Sequence, residues 1–222
     1  MARPPDHERR RELARRGASV LQREGIEIPV ARLADILGVK RPTLLYHFPT
    51  YGHLLEAALE DLLTEQATHV LARLSVHRDA LRRLDAQIRA VHAFHDGRED
   101  RIVFLTQAIA ATGGRRLPAI LATADRVFEA HRRDAADRLR QGMAEGTIAR
   151  CDADAVVALV RAVTDGLMVQ RVLTGQPMGA VHDLLRDSLL EPLRTTKGTR
   201  HEKRPSARPS AKRAAPRPPR GT

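Results

Sequence analysis

Between Leu13 and Leu193 the apolar residues return at intervals of three and four, and no stretch alternates for the length of a strand. That spacing predicts an all-α chain. A first helix carries Leu13, Gly17, Val20 and Leu21 on one face, with Gly25 as its stop. A short second helix over residues 30 to 37 turns Leu33, Ala34 and Leu37 inward, and Pro29 suits its start because the missing N–H would be unpaired there anyway. Gly38 turns the chain, and residues 40 to 48 predict a third short helix. Pro49 and Gly52 punctuate the gap before a longer fourth helix with Leu54, Leu55, Ala58, Leu59 and Leu62.

Beyond these lies a larger helical region. Leu81, Leu84, Ile88 and Val91 mark one helix, and Ile102, Leu105 and Ile109 the next. GGRRLP breaks the pattern, Pro118 opens a long helix, and the EGT of residues 145 to 147 turns the chain again. The segment DADAVVALVRAVTDGLMVQRVL begins with acidic residues suited to a helix N-cap and is apolar over most of its circumference, so it must be covered on several sides. A last amphipathic helix uses Val181, Leu184, Leu185, Leu189 and Leu193. No internal repeat is visible.

Charge is distributed unevenly. The formal net charge is +11, yet the nine Lys and Arg after Thr195 face only Glu202, so the last 28 residues hold +8 and the rest +3. This Pro-, Ala-, Ser- and Arg-rich stretch has no apolar periodicity and is expected to be a disordered tail over residues 195 to 222. It reads either as a solubilising extension or as an arm that adds salt-dependent affinity for DNA.

Several functional classes find no support. A single Cys151 gives no disulfide framework and no cysteine-based zinc site. No GxSxG, GxxxxGK[ST] or HExxH occurs, so no enzyme is expected, and no cofactor. His92 and His95 share a helix face, but spacing places no third ligand, and they read as interior or helix-end histidines rather than a metal site. No run of about 18 apolar residues is present and the N-terminus lacks an apolar signal stretch, so a cytoplasmic protein away from membranes is expected.

Two short helices joined at a glycine describe a helix-turn-helix, whose second helix enters the DNA major groove. Stepping at 100° per residue puts Leu44, Leu45 and Phe48 on one face of the third helix, with Pro42, Thr43 and Tyr46 roughly opposite and His47 flanking them. This explains an oddity of composition: a chain with two Tyr, four Phe and no Trp sets Tyr46, Phe48 and Tyr51 just after Lys40 and Arg41. Lys40 and Arg41 supply charge, and Thr43 a hydroxyl and a methyl for a base edge. Tyr46, His47 and Tyr51 offer donors to phosphate, and Phe48 belongs to the core. Two other readings of the chain stand beside a sequence-specific reader: an architectural DNA-binding protein dominated by its tail, and a helical ligand-binding module with a degenerate reader domain.

The stretch ARLADILGVKRPTLLYHFPTYGHLLEAAL resembles the DNA-binding domain of TetR-family transcriptional regulators. Leu33-Ala34, Gly38-Val39, Leu44, Phe48, Thr50 and Leu54-Leu55 occupy the family's positions, and EGTIARCDADAVVALVRAVTDGLMVQ is similar to its penultimate helix and preceding turn. Pro29, Pro42, Leu45 and Tyr51 depart from the usual pattern and thin the set of phosphate contacts. The resemblance implies a helix-turn-helix domain over residues 1–52 and a helical effector-binding and dimerisation domain over 53–194. It further implies a homodimer joined through the last two long helices, a near-palindromic double-stranded operator, and a small-molecule effector that releases a repressor from it. On the family's layout the effector pocket is expected around Phe94, His95, Phe104 and Gln107.

Overall fold

The computed structural model describes residues 6–111 and 117–195, with the side chains of 117–121 and 123–127 outside that description. Apart from Thr195, the expected tail lies outside the described residues, as does most of GGRRLP. The described residues form nine α-helices in chain order and no strand. They are α1 (His7–Glu24), α2 (Val30–Ile36), α3 (Arg41–His47), α4 (Tyr51–Leu74), α5 (Ala80–His95), α6 (Glu99–Ala111), α7 (Leu117–Ala144), α8 (Ala153–Thr174) and α9 (Gly179–Leu185). After α9 the helical path widens to a π turn over Arg186–Leu190 and closes with a 3₁₀ turn over Glu191–Leu193.

Local chemistry sets the helix ends. Asp6, Thr50, Asp79 and Asp152 each accept hydrogen bonds from main-chain N–H groups in the first turn of α1, α4, α5 and α8. The acidic start read from the DADAVV segment is therefore a working cap. Gly38, at φ 68°, ends α2: the Val39 N–H reaches the Ala34 carbonyl and the Gly38 N–H that of Asp35, a left-handed stop that favours glycine. The third helix ends one residue earlier than its spacing predicts, at His47, and Phe48 is its buried cap.

Two cores result. The first gathers Leu13, Leu21, Leu33, Leu44, Phe48 and Leu54 from α1 to α4, and it also takes Phe94, Phe104 and Ala108 from α5 and α6. The second packs Leu81, Leu84 and Ile88 of α5 against Leu139 of α7, Val156, Val157 and Val160 of α8, and Leu190. Because α4 is 24 residues long, about 36 Å, it runs from the first core into the body of the molecule. There its C-terminal half meets α5 through Val70, Leu74, Ala90 and Val91.

The penultimate helix departs from what its composition predicts. Expected to be covered on several sides, α8 leaves Ala155, Leu159, Ala162, Gly166, Val169 and Leu173 exposed. Leu173 is 78% exposed and Leu184 of α9 64%. The stripe repeats at intervals of four and three, the seam of a helix that packs on another helix.

Candidate DNA-reading face and effector cavity

The α2–Gly38–α3 unit is held from behind by α1. Arg16 donates to the Leu37 carbonyl at the end of α2 at 2.6 Å. Arg10 donates to the His47 carbonyl at the end of α3 at 3.3 Å, and its guanidinium lies 5.0 Å from the centre of the Phe48 ring. A cation at a helix C-terminus meets the negative end of the dipole, so both arginines stabilise the helices they touch. Leu33, Ala34, Leu37, Leu44 and Phe48 face this support and are buried.

On the outer side Lys40, Arg41, Thr43 and Tyr46 are all exposed, with Tyr46 at 44%. Helix α3 begins with no acidic residue in its first turn and no capping side chain, so Lys40 and Arg41 add positive charge to an already positive helix end. Such an arrangement favours an anion over water. Thr43 and Tyr46 supply neutral donors beside these charges.

Two expected members of this face are elsewhere. His47 is buried at 7% exposure and stacks edge-on to Tyr46 with ring centres 5.3 Å apart. It turned inward because it is the last residue of a seven-residue helix whose end α1 closes over. Tyr51 is half-buried, and its phenol donates a 2.5 Å hydrogen bond to the Ile26 carbonyl. Burial pushes that phenol up to about 12. The proton a phosphate would need is already committed.

The expected effector quartet is also dispersed. Phe104 is fully buried in the first core, and Gln107 is exposed. His95 is buried with its Nε2 2.9 Å from the Gln66 side chain, and the Arg101 guanidinium lies 4.2 Å from the centre of the Phe94 ring. Phe94 borders an open groove with Arg15, Asp61 and His69. None of the four borders the more enclosed cavity, of about 90 Å³. That cavity sits between α4, α5, α7 and α8, with Val70, Leu84, Phe128, Val157, Val160 and Thr164 among its walls. The expected pocket reached toward α6, but α6 packs Phe104 and Ala108 into the first core. Sequence spacing held a clue: His131, Asp134, Ala135 and Arg138 share one face of α7, but charges on a helix face ordinarily signal solvent.

His92 and His95 part to different partners. His92 contacts the Thr164 carbonyl through Nε2 at 2.9 Å, which makes that nitrogen the donor. Its Nδ1, 2.6 Å from Nε2 of His182, is then the acceptor, so His182 donates. The chain ties α5 to α8 and α9. Burial holds both imidazoles below their ordinary range, His182 at about 4. Among the described residues no group of three or more His, Cys, Asp or Glu is placed to hold a metal ion, and no helix is long and apolar enough to cross a membrane.

No protein-family model matches the chain, and no curated protein does. Solved structures match over most of their length. A TetR-family transcriptional regulator, PfmR from Thermus thermophilus, is 20% identical with a TM-score of 0.57, over 81% of this chain and 97% of that one. The ketosteroid transcriptional regulator KstR2 of Mycobacterium tuberculosis is 21% identical with a TM-score of 0.56, over 88% and 100%. The regulator FadR from Bacillus subtilis, solved with stearoyl-CoA, is 14% identical with a TM-score of 0.64, over 83% and 97%.

Proposed function

We propose that this chain, which has the fold of TetR-family transcriptional regulators, is a member of that family: a ligand-responsive, sequence-specific DNA-binding protein, and a repressor rather than an enzyme. The observation that carries the reading is the α2–Gly38–α3 unit, stapled from behind by Arg10 and Arg16 and presenting Lys40, Arg41, Thr43 and Tyr46 on its open side. Residues 1–52 form the reading unit. Residues 53–194 form the effector-binding and dimerising part.

The apolar stripe of α8, with Leu184 of α9, supports a homodimer in which α8 and α9 of two copies make a four-helix seam. A two-fold axis there gives two α3 helices a fixed spacing, which is what a near-palindromic operator demands. The effector enters the cavity between α4, α5, α7 and α8. Because α4 borders both that cavity and the first core, a ligand that binds one position of α4 better than another biases the spacing of the two readers.

The test is fluorescence anisotropy with selection from random DNA. An enriched two-fold motif, bound with an affinity that falls steeply with salt, is the expected result. Binding with no enriched motif contradicts a sequence-specific reader.

A further inference from the structure

The cavity is polar at both ends and apolar in the middle. Along α4 it extends from Gln66 to Leu74, about 12 Å. At the Gln66 end, Arg161 and Asp165 balance one another at 3.3 Å beside the Thr164 hydroxyl. Val70, Leu84, Val157 and Val160 make the apolar middle.

The other end is not balanced. Arg83 and Arg138 both pair with one carboxylate, that of Asp134, at 3.2 and 2.9 Å. Arg83 is also committed to the Leu74 and His77 carbonyls at 2.6 and 3.2 Å. Arg138 reaches Asp134 through Nε alone, which leaves its two terminal nitrogens without a protein partner among the described residues. Hydrogen bonds from Arg138 and the neighbouring guanidiniums hold Asp134 below the usual carboxylate range, so it stays ionised and is shared by two cations. Burial lowers His131 toward its neutral form, so it adds no further charge there. Arg132, also on the wall, pairs with Glu129 at 2.6 Å. One guanidinium is in surplus, and its open edge has the geometry that receives a carboxylate bidentately.

We infer that the cavity takes a small monocarboxylic acid, its carboxylate on Arg138 and its apolar body between Val70, Leu84, Val157 and Val160. This names the class of the effector and rests on the regulator reading for its regulatory consequence. Size follows from volume. A water needs about 10–15 Å³ of such space, so about 90 Å³ admits a molecule of about six to nine heavy atoms, the size of benzoate or hexanoate.

Isothermal titration of the full chain without DNA tests it, using benzoate and hexanoate against benzamide and benzylamine. The acids bind, and the amide and amine bind at least about tenfold more weakly. R138Q weakens the acids by about tenfold or more, whereas D134N, which removes the competing carboxylate, tightens them. Opposite signs separate a ligand contact from a structural role, since a merely structural pair weakens binding in both variants. Equal binding of acid and amide, no heat from either acid at millimolar concentration, or weakening in both variants overturns the inference. Because no DNA is present, failure here leaves operator binding as an independent result, and failure to select an operator leaves this titration standing.

Discussion

The Tyr51 phenol donates to the Ile26 carbonyl at 2.5 Å and so pins the first turn of α4 to the loop between α1 and α2. Y51F removes the donor and leaves that carbonyl without it. We expect a loss of about 1 kcal/mol in urea unfolding, with DNA affinity at fixed salt unchanged. Because the folded phenol is raised to about 12, the bond stabilises fully below the unfolded value near 10 and its contribution is lost as pH rises from there through about 12. A loss of DNA affinity at a salt concentration where Y51F stays folded would return Tyr51 to the DNA-reading face.

Arg16 places a cation on the Leu37 carbonyl, where α2 ends and the turn at Gly38 begins. R16A therefore loses a charge-assisted bond and a favourable dipole contact, together about 1–3 kcal/mol. The same change weakens DNA binding without altering which sequence is selected, because Arg16 lies behind the reader. Normal stability with an altered motif would place Arg16 on the DNA instead.

Lys40 and Arg41 stand on the exposed side of α3 with Thr43 between them and Tyr46. If each cation neutralises one phosphate per half-site, K40A and R41A each lower the dimer's slope of log affinity against log salt by about 1.8, twice about 0.9. T43A leaves that slope alone and relaxes the preference at one base pair per half-site. Measured slopes that do not move in either lysine or arginine variant would remove those residues from the interface.

Periodicity found the helices, the stop at Gly25 and the turn at Gly38, because those features are local and glycine alone carries the left-handed backbone. It also found the cap at Asp152. It missed the inward turn of His47 and the engagement of Tyr51, since both depend on where α1 and its loop lie against α3 and α4. The cavity escaped it for a related reason. Phe94 and Phe104 look like pocket walls in sequence, but the first core needed them, while Arg83, Asp134 and Arg138 look like an ordinary solvated face and also line a cavity between helices.

The His92–His182 pair makes the junction of α5, α8 and α9 sensitive to acid. Both imidazoles are lowered by burial in the fold, so their contribution is present above the unfolded value near 6.5 and is lost as pH falls below it, for His182 through about 4. H182Q keeps an N–H donor for His92 but cannot titrate. Its melting temperature therefore falls less than that of the wild type between pH 6.5 and 4, while the two agree in slope between pH 7 and 8. Parallel curves across the whole range would show that the pair carries no pH dependence.

Leu173, at 78% exposure, tests the dimer without disturbing the protomer. It ends the stripe that begins at Ala155, and no described residue covers it, so a charge there costs the monomer little. In a four-helix seam the same charge is buried against apolar neighbours, at a cost of several kcal/mol unless it is paired. L173E should therefore move the light-scattering mass at micromolar concentration from dimer to monomer while the helical signal and unfolding midpoint at low concentration stay near wild type. DNA affinity should fall in step with the mass, because separated readers lose the gain from binding two half-sites at once. A wild-type monomer, or an L173E dimer as stable as the wild type, would mean that the exposed stripe of α8 is not where two copies meet.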